Sequence, residues 1–151
     1  MQRRSFLRNT GLTMAGLSLL NIESLAAFLN QPTWNIKMLT DEIGVFTEKG
    51  GTIAFLLSSK GIVVVDSQFT DTAPHLIEQL KKSSDKPFRY LINTHHHGDH
   101  TSGNIAFKGI VEHVVAHENS LANQKRVAIE RKIEDKQLYP DMTFGTDGWN
   151  E

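Results

Sequence analysis

The 151-residue sequence contains no cysteine. A disulfide framework, a thiolate metal site and a cysteine nucleophile are therefore excluded, and any bound metal must take nitrogen and oxygen ligands. Surplus charge is missing too: 16 Lys and Arg stand against 17 Asp and Glu, a formal net charge of −1 with the seven histidines neutral. With no basic excess to neutralise phosphates, the composition speaks against nucleic acid as a primary partner and for a small-molecule substrate. No apolar run reaches the roughly twenty residues that a membrane-spanning helix needs, so no stable membrane span is expected. Internal repeats and low-complexity tracts are absent as well. What is present is a 39% apolar and 22% charged composition, ordinary for a soluble globular protein, and a length that suits one domain with one core.

The first residues are laid out as an address. Gln2-Arg3-Arg4-Ser5-Phe6-Leu7-Arg8 is basic, Asn9 to Leu20 is uncharged and moderately apolar, and the small residues Ser24-Leu25-Ala26-Ala27 follow. This is the three-part layout of a secretory signal. About twelve apolar residues are too few for an anchor, and Gly11 and Gly16 suit a surface helix poorly. The paired arginines, Phe-Leu and a further basic residue resemble the bacterial twin-arginine export signal, with Gln2 where Ser or Thr is common. That resemblance implies a signal peptide over 1–27, use of the twin-arginine export machinery, folding before crossing, and a periplasmic or secreted location.

In the mature segment, 28–151, a polar linker with Pro32 leads into β-rich runs at Ile36 to Leu39, Thr52 to Leu57 and Ile62 to Val65, with a shorter candidate at Val45 to Thr47. Glu48-Lys49-Gly50-Gly51 and Ser58-Ser59-Lys60-Gly61 are turn signals, since glycine accepts positive φ without steric cost. The β-branched run Ile62-Val63-Val64-Val65 predicts a strand buried on both faces. Between Asp71 and Lys82, Ala73, Leu76, Ile77 and Leu80 recur at helical spacing, with Pro74 in the first turn and Lys81 and Lys82 in the last. A strand over Phe88 to Ile92 then completes a parallel βαβ crossover. A short helix near Ser102 to Phe107, a strand over Val111 to Ala116 and a helix from about Asn119 to Lys136 continue the alternation. The tail from Tyr139 carries turn signals and no closing strand or helix.

The chemistry is concentrated in Asn93-Thr94-His95-His96-His97-Gly98-Asp99-His100-Thr101-Ser102-Gly103-Asn104, directly after the strand ending at Ile92. Ligands in parallel sheets sit in this place, beyond the carboxyl end of a strand. Nitrogen and oxygen donors of this kind suit zinc, manganese or iron, with zinc the default. In an extended segment residues two apart project the same way, so His95 and His97 are able to grip one ion while His96 points elsewhere. A turn into helix after them would aim Asp99 and His100 at a neighbouring position and a second ion. Two such ions roughly 3.5–4 Å apart hold a bridging hydroxide and polarise a carbonyl or phosphoryl oxygen, which is metal-assisted hydrolysis. His113 and His117, at the ends of a strand, are expected to pack or cap rather than ligate, and His75 to lie at the surface.

His95, His97, Asp99 and His100 fill the H-x-H-x-D-H motif of the metallo-β-lactamase superfamily. The flanking Thr94 and Thr101-Ser102-Gly103-Asn104 also resemble that family, as does the strand Gly61 to Val65 ending in Asp66. The resemblance implies an α/β fold, the αβ/βα sandwich, with only its N-terminal αβ half present in 28–151. It further implies a zinc hydrolase in which a metal-activated hydroxide attacks an ester, thioester, lactone or β-lactam carbonyl. His95 and His97 would hold one zinc, and Asp99 and His100 the other. Asp99 would also act in catalysis by orienting the attacking water, and Asp66 would brace the metal loop. Complete members draw further ligands from a second half that this sequence lacks, so the expectation is a truncated chain with two protein ligands per metal. A non-catalytic metal-binding fragment or half-domain interaction protein is the alternative.

Overall fold

A computed structural model describes residues 32–148. The expected signal peptide at 1–27 lies outside the described residues. The elements below belong to the compact unit that begins at Trp34.

Four strands form an antiparallel meander: β1 (Asn35–Met38), β2 (Ile43–Glu48), β3 (Gly51–Ser58) and β4 (Gly61–Val65). The β2–β3 connection is a two-residue turn in which both Lys49 (φ 47°) and Gly50 (φ 79°) are left-handed. That is the turn whose twist matches the strands, and glycine supplies half of it at no cost. β2 is longer than the Val45–Thr47 expectation because Ile43 and Gly44 pair with Leu56 and Phe55. A Cβ on Gly44 would stand 2.3 Å from the Phe55 ring, so the glycine makes room for an aromatic.

From β4 the chain switches to parallel pairing. Helix α1 (Ala73–Ser83) leads to β5 (Phe88–Asn93). The short helix α2 (Gly98–Thr101) and a 3₁₀ segment (Ser102–Phe107) lead to β6 (Val111–His117), and α3 (Glu118–Arg131) leads on to β7 (Met142–Phe144). The seven strands lie in sequence order. Successive right-handed crossovers moving one way across a sheet put their helices on one face. That face holds the core, where Leu76, Leu80 and Phe107 pack with Phe46, Ile53, Ile62, Val64 and Leu91. Phe88 and Phe107 meet edge-to-face at 5.8 Å between ring centres.

Three expectations need correction. β4 is not buried on both faces: Ile62 and Val64 are fully buried, whereas Val63 and Val65, on the face away from the helices, are half-buried. The last helix stops at Arg131, where Lys132 turns left-handed (φ 54°), and only a 3₁₀ turn at Glu134–Lys136 follows. The tail does contain a strand, β7, which pairs with β6. Three residues are too few to show a period of two, and the strand is placed by Asp141, which bonds Val114 through both its N–H (3.0 Å) and its carboxylate (2.6 Å).

Among the described residues no helix is long and apolar enough to cross a membrane.

Candidate metal centre

After β5 the backbone does not run on extended as the two-residue spacing assumed: it bends over Thr94–His96, is extended at His97 (φ −67°, ψ 148°) and then closes into α2. Two consequences follow for the side chains. His95 and His97, brought together by that bend, approach each other, with Nε2 of His95 3.2 Å from Nδ1 of His97. Asp99 and His100, on the first turn of the helix, swing to the same side: the His95 and His100 rings are 3.9 Å apart between centres, and His100 Nε2 is 3.4 Å from Asp99 Oδ2.

Asp66 sits beneath this loop. Its carboxylate accepts from the backbone N–H of Thr94 (2.8 Å), the Thr94 hydroxyl (2.7 Å) and His100 Nδ1 (2.8 Å). A carboxylate only accepts, so His100 carries its proton on Nδ1 and presents a lone pair at Nε2. The Thr94 hydroxyl has one proton and gives it to Asp66. The Thr94 oxygen, 3.1 Å from His95 Nδ1, must then accept from that nitrogen, which leaves the lone pair of His95 at Nε2, facing His97. One aspartate therefore orients two imidazoles, directly and through a threonine.

The loop carrying Asp66 is fastened to the metal loop along its length. Ser67 donates from its N–H to the carbonyl of His100 (2.8 Å) and from its hydroxyl to Asn104 Oδ1 (2.8 Å), and the Gly103 N–H donates to the Gln68 carbonyl at 3.0 Å. The approach is so close that a Cβ on Gly103 would stand 2.1 Å from the Ser67 oxygen. Underneath, Asn93 and Asn104 exchange amide hydrogen bonds (3.1 and 2.8 Å), joined by Ser67 and Gln124. Ser67 and Gln124 gave no signal in the sequence, and Asn93 and Asn104, though part of the motif segment, gave none of their pairing, since single polar residues acquire meaning only from distant partners.

The other histidines are placed elsewhere. His96 lines a small separate cavity with Thr101, Ser102, Gln124 and Arg131. Its desolvation, then the neighbouring His97 and His95, keep its pKa below the ordinary imidazole value. His113 bonds Asp141 (2.9 Å) and stacks on Tyr90, and His117 caps α3 by accepting from the Asn119 N–H (3.1 Å). His75, expected at the surface, is half-exposed and bonds the buried carboxylate of Glu48 at 2.9 Å.

Asp99 and His100 line a cleft of about 180 Å³ together with the hairpin tip Lys49–Thr52 and with Asp66, Gln68 and Phe69. Among the described residues no three His, Asp or Glu side chains converge as a ready cage for an ion. The donors that do meet are nonetheless of the right kind. Two nitrogens bound at about 2.0–2.1 Å to a tetrahedral zinc would lie roughly 3.3 Å apart, close to the 3.2 Å between His95 Nε2 and His97 Nδ1. The residues fit a divalent cation as an incomplete ligand set.

The family model of the metallo-beta-lactamase superfamily matches residues 47–146. Among solved structures, a metallo-beta-lactamase from Pontibacter korlensis is similar at 20% identity and a TM-score of 0.56 over 74% of this chain and 52% of its own. The metallo-beta-lactamase FIM-1 from Pseudomonas aeruginosa, solved in a mono-zinc form, is similar at 17% identity and 0.58 over 76% of this chain and 51% of its own. The chain thus spans about half the length of the structures it matches. A search of curated proteins finds no match. The motif loop after a parallel strand, the aspartate beneath it and the family match agree: the chain belongs to the metallo-β-lactamase superfamily.

Proposed function

We propose that the chain is the metal-binding part of an exported, zinc-dependent hydrolase acting on the carbonyl of an ester, thioester, lactone or β-lactam. The observation that carries this reading is the facing pair His95 Nε2 and His97 Nδ1 beside His100 and Asp99, the last two of which line a cleft. His95 and His97 are assigned to one zinc, and Asp99 and His100 to a second. Zinc, when bound, supplies Lewis acidity and makes a water acidic enough to ionise near neutral pH. The protein's own residues do the positioning. Asp66 keeps the lone pairs of His95 and His100 turned outward, and the exposed Asp99 carboxylate accepts a hydrogen bond from the attacking water and aims it at the substrate carbonyl. Export rests on the twin-arginine-like segment at 1–27.

Replacing Asp99 with Ala tests the reading. Hydrolysis of para-nitrophenyl acetate or a chromogenic β-lactam should fall by about 100-fold or more in kcat while the circular dichroism spectrum stays unchanged. Equal turnover by wild type and variant would remove Asp99 from catalysis. A second reading, a non-catalytic metal-binding half-domain, is favoured by the lack of a three-residue cage among the described residues. A wild-type chain that binds zinc and hydrolyses nothing would establish it.

A further inference from the structure

A buried chain of amides runs from the root of the metal loop to helix α3. Gln124 Nε2 donates to Asn93 Oδ1 at 3.3 Å, and the same oxygen accepts from Asn104 Nδ2 at 2.8 Å. Asn104 Oδ1 in turn accepts from Asn93 Nδ2 at 3.1 Å and from the Ser67 hydroxyl at 2.8 Å. None of these residues is more than 5% exposed. A buried network of this kind holds one arrangement, because rearranging it leaves polar groups unpaired and out of water. The Gln124 amide has two protons, and its other neighbour is Ser120 Oγ at 3.3 Å, so both are engaged.

Asn93 is the last residue of β5, and the bend over Thr94–His96 that brings His95 to His97 starts beside it. Asp66 holds the Thr94 N–H, and the N–H groups of His100 and Thr101 hold the His97 carbonyl. The Asn93 amide fixes the root of the same bend, and it is held from outside the motif segment by Gln124. We infer that Gln124 is a positioning residue for zinc. By holding Asn93 it keeps the bend in the conformation in which His95 and His97 face each other, and so lessens the ordering that metal binding has to supply. It acts through Asn93, and nothing places it against the metal or a substrate. The inference rests on the zinc assignment above, but requires only that the chain bind zinc, whether or not it hydrolyses anything.

The experiment compares zinc affinities of full-length variants by competition with a chromophoric chelator, at a temperature where circular dichroism shows each to be folded. Gln124→Met keeps the length of the side chain, which matters because Gln124 also lines the cavity shared with His96, and removes both N–H bonds. Ser120→Ala removes only the bond to Ser120. Gln124→Met should weaken zinc about fivefold, the scale of one neutral hydrogen bond, and Ser120→Ala should stay within about twofold of wild type. Gln124→Glu, of equal size, sets an acceptor against Asn93 Oδ1 and should weaken zinc at least as much, which keeps the proposal open to refutation if the Met variant does not fold. A merely structural glutamine would change Tm and leave affinity alone, so wild-type affinity in a folded Gln124 variant overturns the proposal. An equal loss in Ser120→Ala also overturns it, by assigning the effect to the packing of α3. A wild-type chain that binds no zinc removes the metal reading and this proposal together, whereas zinc bound equally by wild type and Gln124→Met removes the proposal alone.

Discussion

One oxygen of Asp66 lies 2.8 Å from Nδ1 of His100, a residue 34 positions later in the chain. The same oxygen takes the Thr94 hydroxyl at 2.7 Å, so a single nearly buried carboxylate sets the proton positions of both His100 and, through Thr94, His95. Its left-handed φ of 66° is a conformation that Asp and Asn both tolerate. Asp66→Asn therefore keeps the backbone and turns one acceptor into a donor facing other donors. Zinc affinity, measured by competition with a chromophoric chelator, should fall about 10–100-fold, the usual effect of losing a residue that orients a ligand. Unaltered affinity would show that Asp66 braces the loop without governing its imidazoles.

His97 and His96 are adjacent and chemically identical, yet only His97 faces His95 Nε2. His97→Ala should remove most bound zinc from the purified protein, and His96→Ala, which alters a different cavity, should leave it near the wild-type level. Metal analysis of the two variants side by side distinguishes them. Equal loss in both would mean that the loop binds zinc as an unspecific histidine cluster.

Gly103→Ala should be severe despite its small size. The added methyl would meet the Ser67 oxygen at 2.1 Å and the Phe69 oxygen at 2.9 Å, both backbone atoms that cannot swing aside. A loss of about 2–3 kcal/mol is expected from overpacking of this kind. For a domain of this size that amounts to a Tm drop on the order of 10 °C. A Tm within a degree or two of wild type would indicate that the 66–69 loop moves freely against the metal loop.

The tail strand carries a pH dependence. Burial raises the Asp141 pKa, but hydrogen bonds from His113 and the Val114 N–H outweigh it, so the folded value lies below the ordinary 3.8. A carboxylate depressed in the folded state contributes stability above its unfolded pKa and loses it as pH falls through the folded value. Denaturant midpoints of the wild type should therefore decline more steeply below about pH 4 than those of Asp141→Asn. The difference should be modest, because the side chain is 52% exposed. Parallel curves would mean that Asp141 contributes nothing to acid sensitivity.

The parts legible beforehand were those written locally. The spacing of Leu76, Ile77 and Leu80 marks α1, the Lys49-Gly50 turn marks the hairpin, and the histidine cluster occupies six residues just after a strand end. β7 was not legible, because its three residues are placed by the Asp141 bonds to Val114 and carry no period of their own. Val63 and Val65 were misjudged because a β-branched run states that a strand forms but not how many of its faces are covered.

The sequence alone determined what chemistry is open to this protein: with no cysteine, metal binding falls to histidine and carboxylate, and the alternation of strands and helices requires the His95–His100 segment to follow a parallel strand. Such statements depend on residue type and on spacings of two to four residues, which backbone geometry converts directly into direction. Only the tertiary structure decided which nitrogen of His95 and His100 is presented, why Gly103 has no side chain, and that the Gln68 side-chain amide is buried with no partner among the described residues. Those properties arise between segments some thirty residues apart, where hydrogen bonds of fixed length join groups whose local sequences say nothing of each other.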